Sequence, residues 1–157
     1  VQSALRNGDR AGIVVLGGSG PRWFGADIGQ RQFYRVLDTI LGAGSDFETT
    51  TGTLAPHAAV PPGAIVVAFS TLLDTAFALA LIELGRRGHA VAAVDVLDGP
   101  PFAVPPDPLI QRMWALERSA MCRHMAAVGV DVVGWPQQVT LDQALQLTPD
   151  RRRRVRG

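Results

Sequence analysis

The stretch over residues 64 to 74 constrains the fold most, because it holds an uninterrupted apolar strand between two turn signals. The Pro-Pro-Gly run at residues 61 to 63 ends any regular structure before it. Residues 65 to 69, Ile-Val-Val-Ala-Phe, lack the alternation of a half-exposed strand. This pattern predicts a strand that is buried on both faces of a parallel sheet.

Small hydroxyl side chains and a carboxylate follow that strand, at Ser70, Thr71 and Asp74. In open α/β sheets ligands bind at the carboxyl ends of strands, so a functional site is predicted here. The three oxygens have the chemistry to bind a hard cation such as Mg²⁺. The favoured alternative makes Asp74 the N-cap of the next helix and the two hydroxyls turn formers.

The rest of the chain alternates strand patterns with helix patterns, which is typical of βαβ units around a parallel sheet. The predicted strands cover residues 11–16, 64–70, 90–95 and 130–133, with a short antiparallel edge strand at 22–24. The predicted helices cover residues 2–6 (a last turn), 30–41, 75–87, 107–128 and 141–147. The fold class is therefore predicted as α/β, with a doubly wound and mostly parallel sheet.

Local signals add detail to these elements. Residues 7–9 are predicted as the exit turn of the first helix, and Asp107 as the N-cap of the fourth. The second helix has an apolar face formed by residues 33, 36, 37, 40 and 41. Trp114 is expected to pack, and Trp23 to lie half exposed on the edge strand.

Composition adds limits on size and partners. The chain has 157 residues, which fits one domain over residues 1 to 148 and a basic tail over residues 149 to 157. Without the five tail arginines, ten arginines face 14 acidic residues, so the body carries a net charge of −4. Arg151 to Arg154 would suit nucleic acid or anionic lipid, but a solvated end is favoured, and no nucleic-acid partner is expected. Cys122 is the single cysteine, which excludes an internal disulfide.

No segment has the length and apolarity of a membrane span or a signal peptide, so no membrane segment is predicted. The sequence does not begin with Met, and its first residues look like the last turn of a helix. The chain is therefore expected to be part of a longer protein. Cytoplasmic localisation is expected, on the cytoplasmic face of a membrane if membrane helices lie upstream.

Two further motifs are weighed against plainer interpretations. Gly-Gly-Ser-Gly at residues 17 to 20 follows a strand as a phosphate loop does, but residues 21 to 25 do not begin a helix and the chain has no Lys. A hairpin turn is therefore favoured there. Asp95 and Asp98 lie at a strand end, where a turn role is favoured over a catalytic one.

The three histidines, His57, His89 and His124, lack zinc-ligand spacing, so no zinc site is predicted.

Four stretches together resemble a known family. They are residues 8–18, residues 30–41 (Gln-Arg-Gln-Phe-Tyr-Arg-Val-Leu-Asp-Thr-Ile-Leu), residues 62–74 and residues 88–97. They are similar to the C-terminal region of bacterial proteins of the domain of unknown function 58 family, of the actinobacterial type. That region resembles a von Willebrand factor A domain, and it is often encoded beside MoxR-type AAA+ ATPases.

The resemblance implies a degenerate metal-dependent adhesion site. Such a site uses an Asp-x-Ser-x-Ser motif after the first strand, a loop Thr and an Asp after the fourth strand. The chain lacks that motif. Ser45 stands near the position where the loop Thr would be. Thr71 replaces the Asp expected directly after Ser70, and Asp74 follows three positions later. No metal is expected to bind this chain. Mg²⁺ is expected to bind only if the missing N-terminal motif is supplied.

The resemblance also implies that the first strand of the domain is missing. That strand would lie between the strands at residues 11–16 and 64–70. Unpaired backbone edges within a sheet are costly. We therefore expect these two strands either to pair directly or to have another segment or chain between them.

The function expected from the resemblance is a non-enzymatic protein-interaction module with no cofactor, whose partner is an AAA+ ATPase. Its contact surface is predicted at the rim formed by Ser45, Ser70, Thr71 and Asp74. The alternative is a Rossmann-like enzyme that binds a nucleotide or another small molecule at the same carboxyl ends.

Overall fold

A computed structural model describes residues 1–16, 22–43, 59–97, 99–102, 106–135, 140 and 143. The chain divides into two compact units, Val1–Ala64 and Ile65–Gly157. The single domain predicted over residues 1 to 148 stays a prediction. The predictions for Ser45, His57, Asp98, the turn at residues 17–20 and the arginine tail lie outside the described residues, as does the helix at 141–147 apart from Gln143.

The described residues of the first unit form a two-stranded antiparallel sheet and two helices. Its elements are α1 (Gln2–Arg6), β1 (Ala11–Val15), β2 (Arg22–Asp27) and α2 (Gln30–Ala43). The predicted antiparallel strand after β1 is confirmed, and it extends three residues beyond the predicted Phe24. The exit turn after α1 is confirmed too, since Gly8 has the left-handed φ of +81° that glycine adopts without strain.

A buried amide side chain joins the three main elements of this unit. Gln32 on α2 is 2% exposed, and its Nε2 donates hydrogen bonds of 2.9 Å to the carbonyl oxygens of Ala11 and Gly25. These carbonyls belong to β1 and β2. Both hydrogen bonds are partly buried, so Gln32 fixes the helix on the sheet through polar contacts as well as apolar ones.

The predicted apolar face of α2 is buried only in part. Val36 is 2% exposed, whereas Leu37, Ile40 and Leu41 are 38%, 51% and 69% exposed. The helix also continues through Gly42 to Ala43, two residues beyond the predicted end at Leu41 and directly before Gly44, the second of the two glycines expected to end it. One glycine costs a helix only about 1 kcal/mol relative to Ala, which is too little to end it at a fixed residue.

In the second unit the described residues form a three-stranded parallel sheet flanked by helices. Its elements are β3 (Ile65–Ser70), α3 (Thr75–Arg86), β4 (Ala90–Asp95), α4 (Pro108–Ala127) and β5 (Val130–Gly134). The strand order is β3-β4-β5 and both pairings are parallel. The chain therefore has a mixed α/β fold, as the alternation of patterns predicts, and this unit is compatible with a Rossmann-like sheet.

The helix starts of this unit follow the sequence signals. Asp74 accepts a hydrogen bond of 2.8 Å from the N–H of Ala76, and Asp107 accepts one of 2.7 Å from the N–H of Leu109. Both predicted N-caps are thus confirmed. A Cβ at Gly85 on α3 would lie 3.2 Å from the Cγ2 atom of Val130 on β5, so the helix packs closely against the sheet.

The prediction that β3 is buried on both faces is wrong. Val66 and Ala68 are half-buried, whereas Ile65, Val67 and Phe69 are 62%, 43% and 51% exposed. An apolar run therefore forms the edge strand of the described sheet. Composition alone could not indicate this, because the same residues suit a strand that is covered on one face or on two.

Among the described strands β1 pairs with β2, and β3 pairs with β4. The strands at residues 11–16 and 64–70 belong to different compact units. The expectation that they pair directly, or have another segment or chain between them, stays a prediction.

Within the described residues, each helix is too short or too polar to cross a lipid bilayer.

The contacts of Gln32 generate a stability prediction. Gln32→Met keeps the length of the side chain but leaves the carbonyls of Ala11 and Gly25 without their donor. We expect the free energy of unfolding to fall by about 1–3 kcal/mol, measured by chemical denaturation followed by circular dichroism.

The control is Gln30→Met, at an exposed position of the same helix, which should change stability by less than about 0.5 kcal/mol. Equal effects of the two substitutions would contradict the assigned role of Gln32.

Candidate functional site

The carboxyl ends of the three parallel strands meet at one edge of the second unit. Ser70 of β3 is in register with Asp95 of β4, which is in register with Gly134 of β5. Beyond the strand ends the N–H of Val96 donates to the carbonyl of Ser70 at 3.0 Å, and the N–H of Trp135 to that of Asp95 at 3.0 Å. The predicted rim residues Ser70, Thr71 and Asp74 all belong to this edge. We use the name rim for the whole edge, including Asp95.

The loop from β3 to α3 contains an unusual backbone conformation. Leu72 has a φ of +51°, in the left-handed region that leucine rarely adopts, and its side chain is 1% exposed. This conformation costs about 1–2 kcal/mol for a residue with a Cβ. The hydroxyl oxygen of Ser70 accepts a hydrogen bond of 3.0 Å from the N–H of Leu72, which holds the turn. The Ser70 oxygen is therefore used in the turn, as the structural interpretation of its position predicts.

An arginine from α4 is the central side chain of the rim. Nη2 of Arg118 donates to Oδ2 of Asp95 at 2.5 Å, and Nη1 donates to the carbonyl oxygens of Thr71 at 2.9 Å and Leu72 at 3.4 Å. The side chains of Arg118 and Asp95 are only 14% and 18% exposed. One guanidinium thus joins β4, α4 and the loop after β3. It also donates hydrogen bonds to the carbonyl oxygens of the strained turn.

Aromatic side chains pack beside the guanidinium of Arg118. The guanidinium of Arg118 lies 5.6 Å from the centroid of the Trp114 ring, within cation–π range. Trp114 in turn makes an edge-to-face contact with Phe102, with their centroids 5.8 Å apart. The predicted packing role of Trp114 is confirmed. These contacts restrict the arginine side chain to one position.

The two rim carboxylates in the described part of the chain, those of Asp95 and Asp74, accept hydrogen bonds from the chain itself. Oδ1 of Asp95 accepts from the N–H of Leu97 at 3.0 Å, while its Oδ2 faces Arg118. Oδ1 of Asp74 caps α3 through Ala76. Asp95 therefore acts as the predicted turn residue, and Asp74 as the predicted N-cap. Asp95 also forms an ion pair with Arg118.

The thiol of Cys122, one turn after Arg118 on α4, does not have the properties of a nucleophile. Burial raises the pKa of Cys122, the nearby carboxylate of Asp95 raises it further, and Arg118 opposes both by lowering it. With a raised pKa the thiol is protonated at neutral pH, and the thiolate is the reactive form.

Two of the three residues expected as remnants of a metal site lie in the described part of the chain. Thr71 is exposed and offers its carbonyl to Arg118, Asp74 caps a helix, and Ser45 lies outside the described residues. Across the described ranges no three His, Cys, Asp or Glu side chains cluster closely enough to bind a metal ion.

The sequence patterns considered above do not indicate Arg118 or Leu72. Arg118 had a visible signal, because it shares one helical face with Trp114, Met121 and Met125 at steps of four, three and four residues. Met125 is fully buried. A lone cation in the middle of such a face requires a partner, and a strand-end Asp is a suitable one. Leu72 had no comparable signal, since leucine does not indicate a left-handed turn.

The first unit contains an open cleft of about 600 Å³ that sequence analysis did not predict. It lies against β2 and α2, and its lining includes Trp23, Phe24, Arg35 and Thr39. The Trp23 side chain is 44% exposed, which confirms its predicted half-exposed position on the edge strand.

Comparison of the sequence with protein-family models found no match. Searches of curated proteins and of solved structures likewise found no significant match.

The ion pair generates the next prediction. Arg118→Met leaves the carboxylate of Asp95 largely buried without its counter-charge and removes two donors from the strained loop. We expect the free energy of unfolding to fall by about 2–4 kcal/mol, measured by chemical denaturation.

Two further variants make this prediction specific. Arg112→Met, at an exposed position on the same helix, should change stability by less than about 0.5 kcal/mol. Adding Asp95→Asn to Arg118→Met should restore part of the loss, because the unpaired charge is then removed. Additive losses in the double variant would contradict the role assigned to the pair.

Proposed function

We propose that the chain is a non-enzymatic protein-interaction module of the von Willebrand factor A type, with a degenerate metal site. One observation carries this proposal: the carboxylates of Asp74 and Asp95 already accept hydrogen bonds within the fold. Both oxygens of Asp95 are in such contacts, and a carboxylate whose charge is compensated by a guanidinium is a weaker ligand for a cation. The polar chemistry of this rim serves its own structure.

Arg118 gives a physical reason why the rim is a poor cation site. Its guanidinium lies against Asp95, so a divalent ion bound at that carboxylate would meet a positive charge within a few ångströms. Repulsion between like charges at such distances amounts to several kcal/mol where solvent is largely excluded. Hydroxyls such as those of Ser70 and Thr71 cannot replace the missing carboxylate charge.

The side chains that the rim does expose suit a protein surface. Leu73 and Val96 are 49% and 39% exposed, and the neighbouring Thr71 and Asp74 are exposed as well. Apolar side chains surrounded by small polar ones are typical of protein interfaces. Ser45 belongs to this proposed surface by the resemblance alone.

The resemblance to the domain of unknown function 58 family suggests the partner. Members of that family are often encoded beside MoxR-type AAA+ ATPases, so we propose such an ATPase as the protein that binds the rim. The rim also follows the general rule that open α/β sheets bind their ligands at the carboxyl ends of the strands.

The metal part of the proposal predicts the outcome of a titration. Isothermal titration of the chain with Mg²⁺ and with Mn²⁺ should give no saturable heat, because Arg118 compensates the charge of Asp95 and Asp74 caps α3 through its Oδ1. The control is Arg118→Met, which removes the positive charge beside Asp95. Saturable binding to the unmodified chain that disappears in Asp74→Asn would contradict the degenerate site.

The partner part predicts the effect of a surface charge. Leu73→Arg places a charge on the exposed rim, and it should weaken binding to a purified MoxR-type ATPase at least about tenfold in biolayer interferometry. The matched control is Ala127→Arg, at an exposed position at the last turn of α4, which should bind as the unmodified chain does.

Equal affinity of the two variants would show that the rim is not the contact surface. A saturable rise in melting temperature with ATP, NAD or S-adenosylmethionine would instead support the alternative of a small-molecule enzyme.

A further inference from the structure

The solvent side of α4 carries an apolar stripe that the proposed rim does not use. Leu109, Met113 and Leu116 are 65%, 54% and 60% exposed, and Ala120 is exposed as well. These four residues follow one another at steps of four, three and four, which places them on one face of the helix. The opposite face contains Met125, which is fully buried. The stripe therefore faces away from the packed side of α4.

This spacing is the seam of a coiled coil, in which the stripe supplies alternating a and d positions. With Met113 and Ala120 at a, and Leu109 and Leu116 at d, the flanking g and e positions follow directly. Arg112 then occupies g and Glu117 occupies e. Both residues are exposed. A cation therefore flanks the stripe on one side and an anion flanks it on the other.

We propose that the stripe binds the same stripe of a second copy of this chain, with the two α4 helices parallel about a two-fold axis. In a parallel pair each g residue lies beside the e residue five positions later in the partner helix. Arg112 and Glu117 are five positions apart. The two-fold axis therefore creates two Arg–Glu contacts across the interface, one on each side of the seam.

The charges select this arrangement over the antiparallel one. In an antiparallel pair that faces Met113 with Leu116, g lies beside g and e beside e. Arg112 would then lie near Ser119, and Glu117 near Ile110, with no opposite charge in either contact. Only the parallel pair uses both flanking charges. The apolar seam ends at Arg123, which is the next residue in the same spacing.

The short seam sets the expected strength of the association. It contains four apolar positions over three turns of helix, so the dimer should be weak and should depend on chain concentration. It needs no rim residue, and its test is therefore separate from tests of the proposed partner. Sedimentation velocity between micromolar and millimolar concentration should show monomers at the low end and dimers at the high end.

The first variant pair tests the seam. Met113→Arg places a charge in the seam, and it should keep the chain monomeric at every concentration. Ala115→Arg places the same charge two residues away, at an exposed position outside the seam, and it should leave the dimer unchanged. Circular dichroism should show both variants folded, as expected for exposed positions. A monomeric unmodified chain, or equal association of the two variants, would overturn the proposal.

A charge exchange tests the parallel arrangement. Arg112→Glu alone and Glu117→Arg alone each place like charges across the interface, and each should raise the dissociation constant several-fold. The double exchange restores two opposite pairs and should return the dissociation constant to that of the unmodified chain. Weakening without recovery in the double variant would overturn the parallel pairing.

A cross-link provides a direct geometric test. Leu109→Cys in a Cys122→Ala background places one thiol per chain at a d position, where the parallel pair brings the two thiols together. With oxidised glutathione as the oxidant, this variant should form a covalent dimer, whereas Ala115→Cys in the same background should not. Equal yields from the two variants would contradict the arrangement.

Discussion

The contact between Arg118 and Asp95 is the interaction on which the second unit depends. A guanidinium from α4 reaches the last residue of β4 and, with its second nitrogen, the carbonyls of the loop after β3. Such a pair contributes little when it is exposed, but both side chains here are largely buried, so removing one partner leaves an uncompensated charge. The pair therefore fixes the strand end, the helix and the loop relative to one another.

That contact also bears on the proposed role of the rim. The strained turn at Leu72 is of a kind found at functional sites, where strain can direct a group toward a ligand. Here Ser70 holds the turn and Arg118 covers its carbonyls, so the strain is balanced by contacts within the chain. What remains exposed is a small apolar and polar surface. This is the physical basis for proposing a protein-binding role.

The sequence predicts those features that depend on local signals. Asp74 and Asp107 act as N-caps because each precedes a helix and needs only a backbone N–H two residues later. The alternation of apolar runs and amphipathic stretches likewise predicts the mixed α/β fold. By contrast, the exposed face of β3 depends on what covers the strand, and a run of apolar residues contains no information about that. The pairing of Asp95 with Arg118 joins residues 23 positions apart, so it becomes visible only when α4 is placed on the sheet.

The central claim is that the fold itself uses the carboxylates of the rim. The most direct test is the broadening of backbone amide signals by Mn²⁺ in nuclear magnetic resonance spectra, since the amides of Ala76 and Leu97 are bonded to those carboxylates. Our account predicts only weak broadening that is spread over exposed acidic side chains. Selective broadening of Leu72, Ala76 and Leu97 at low Mn²⁺ concentration would place a cation at the rim and contradict it.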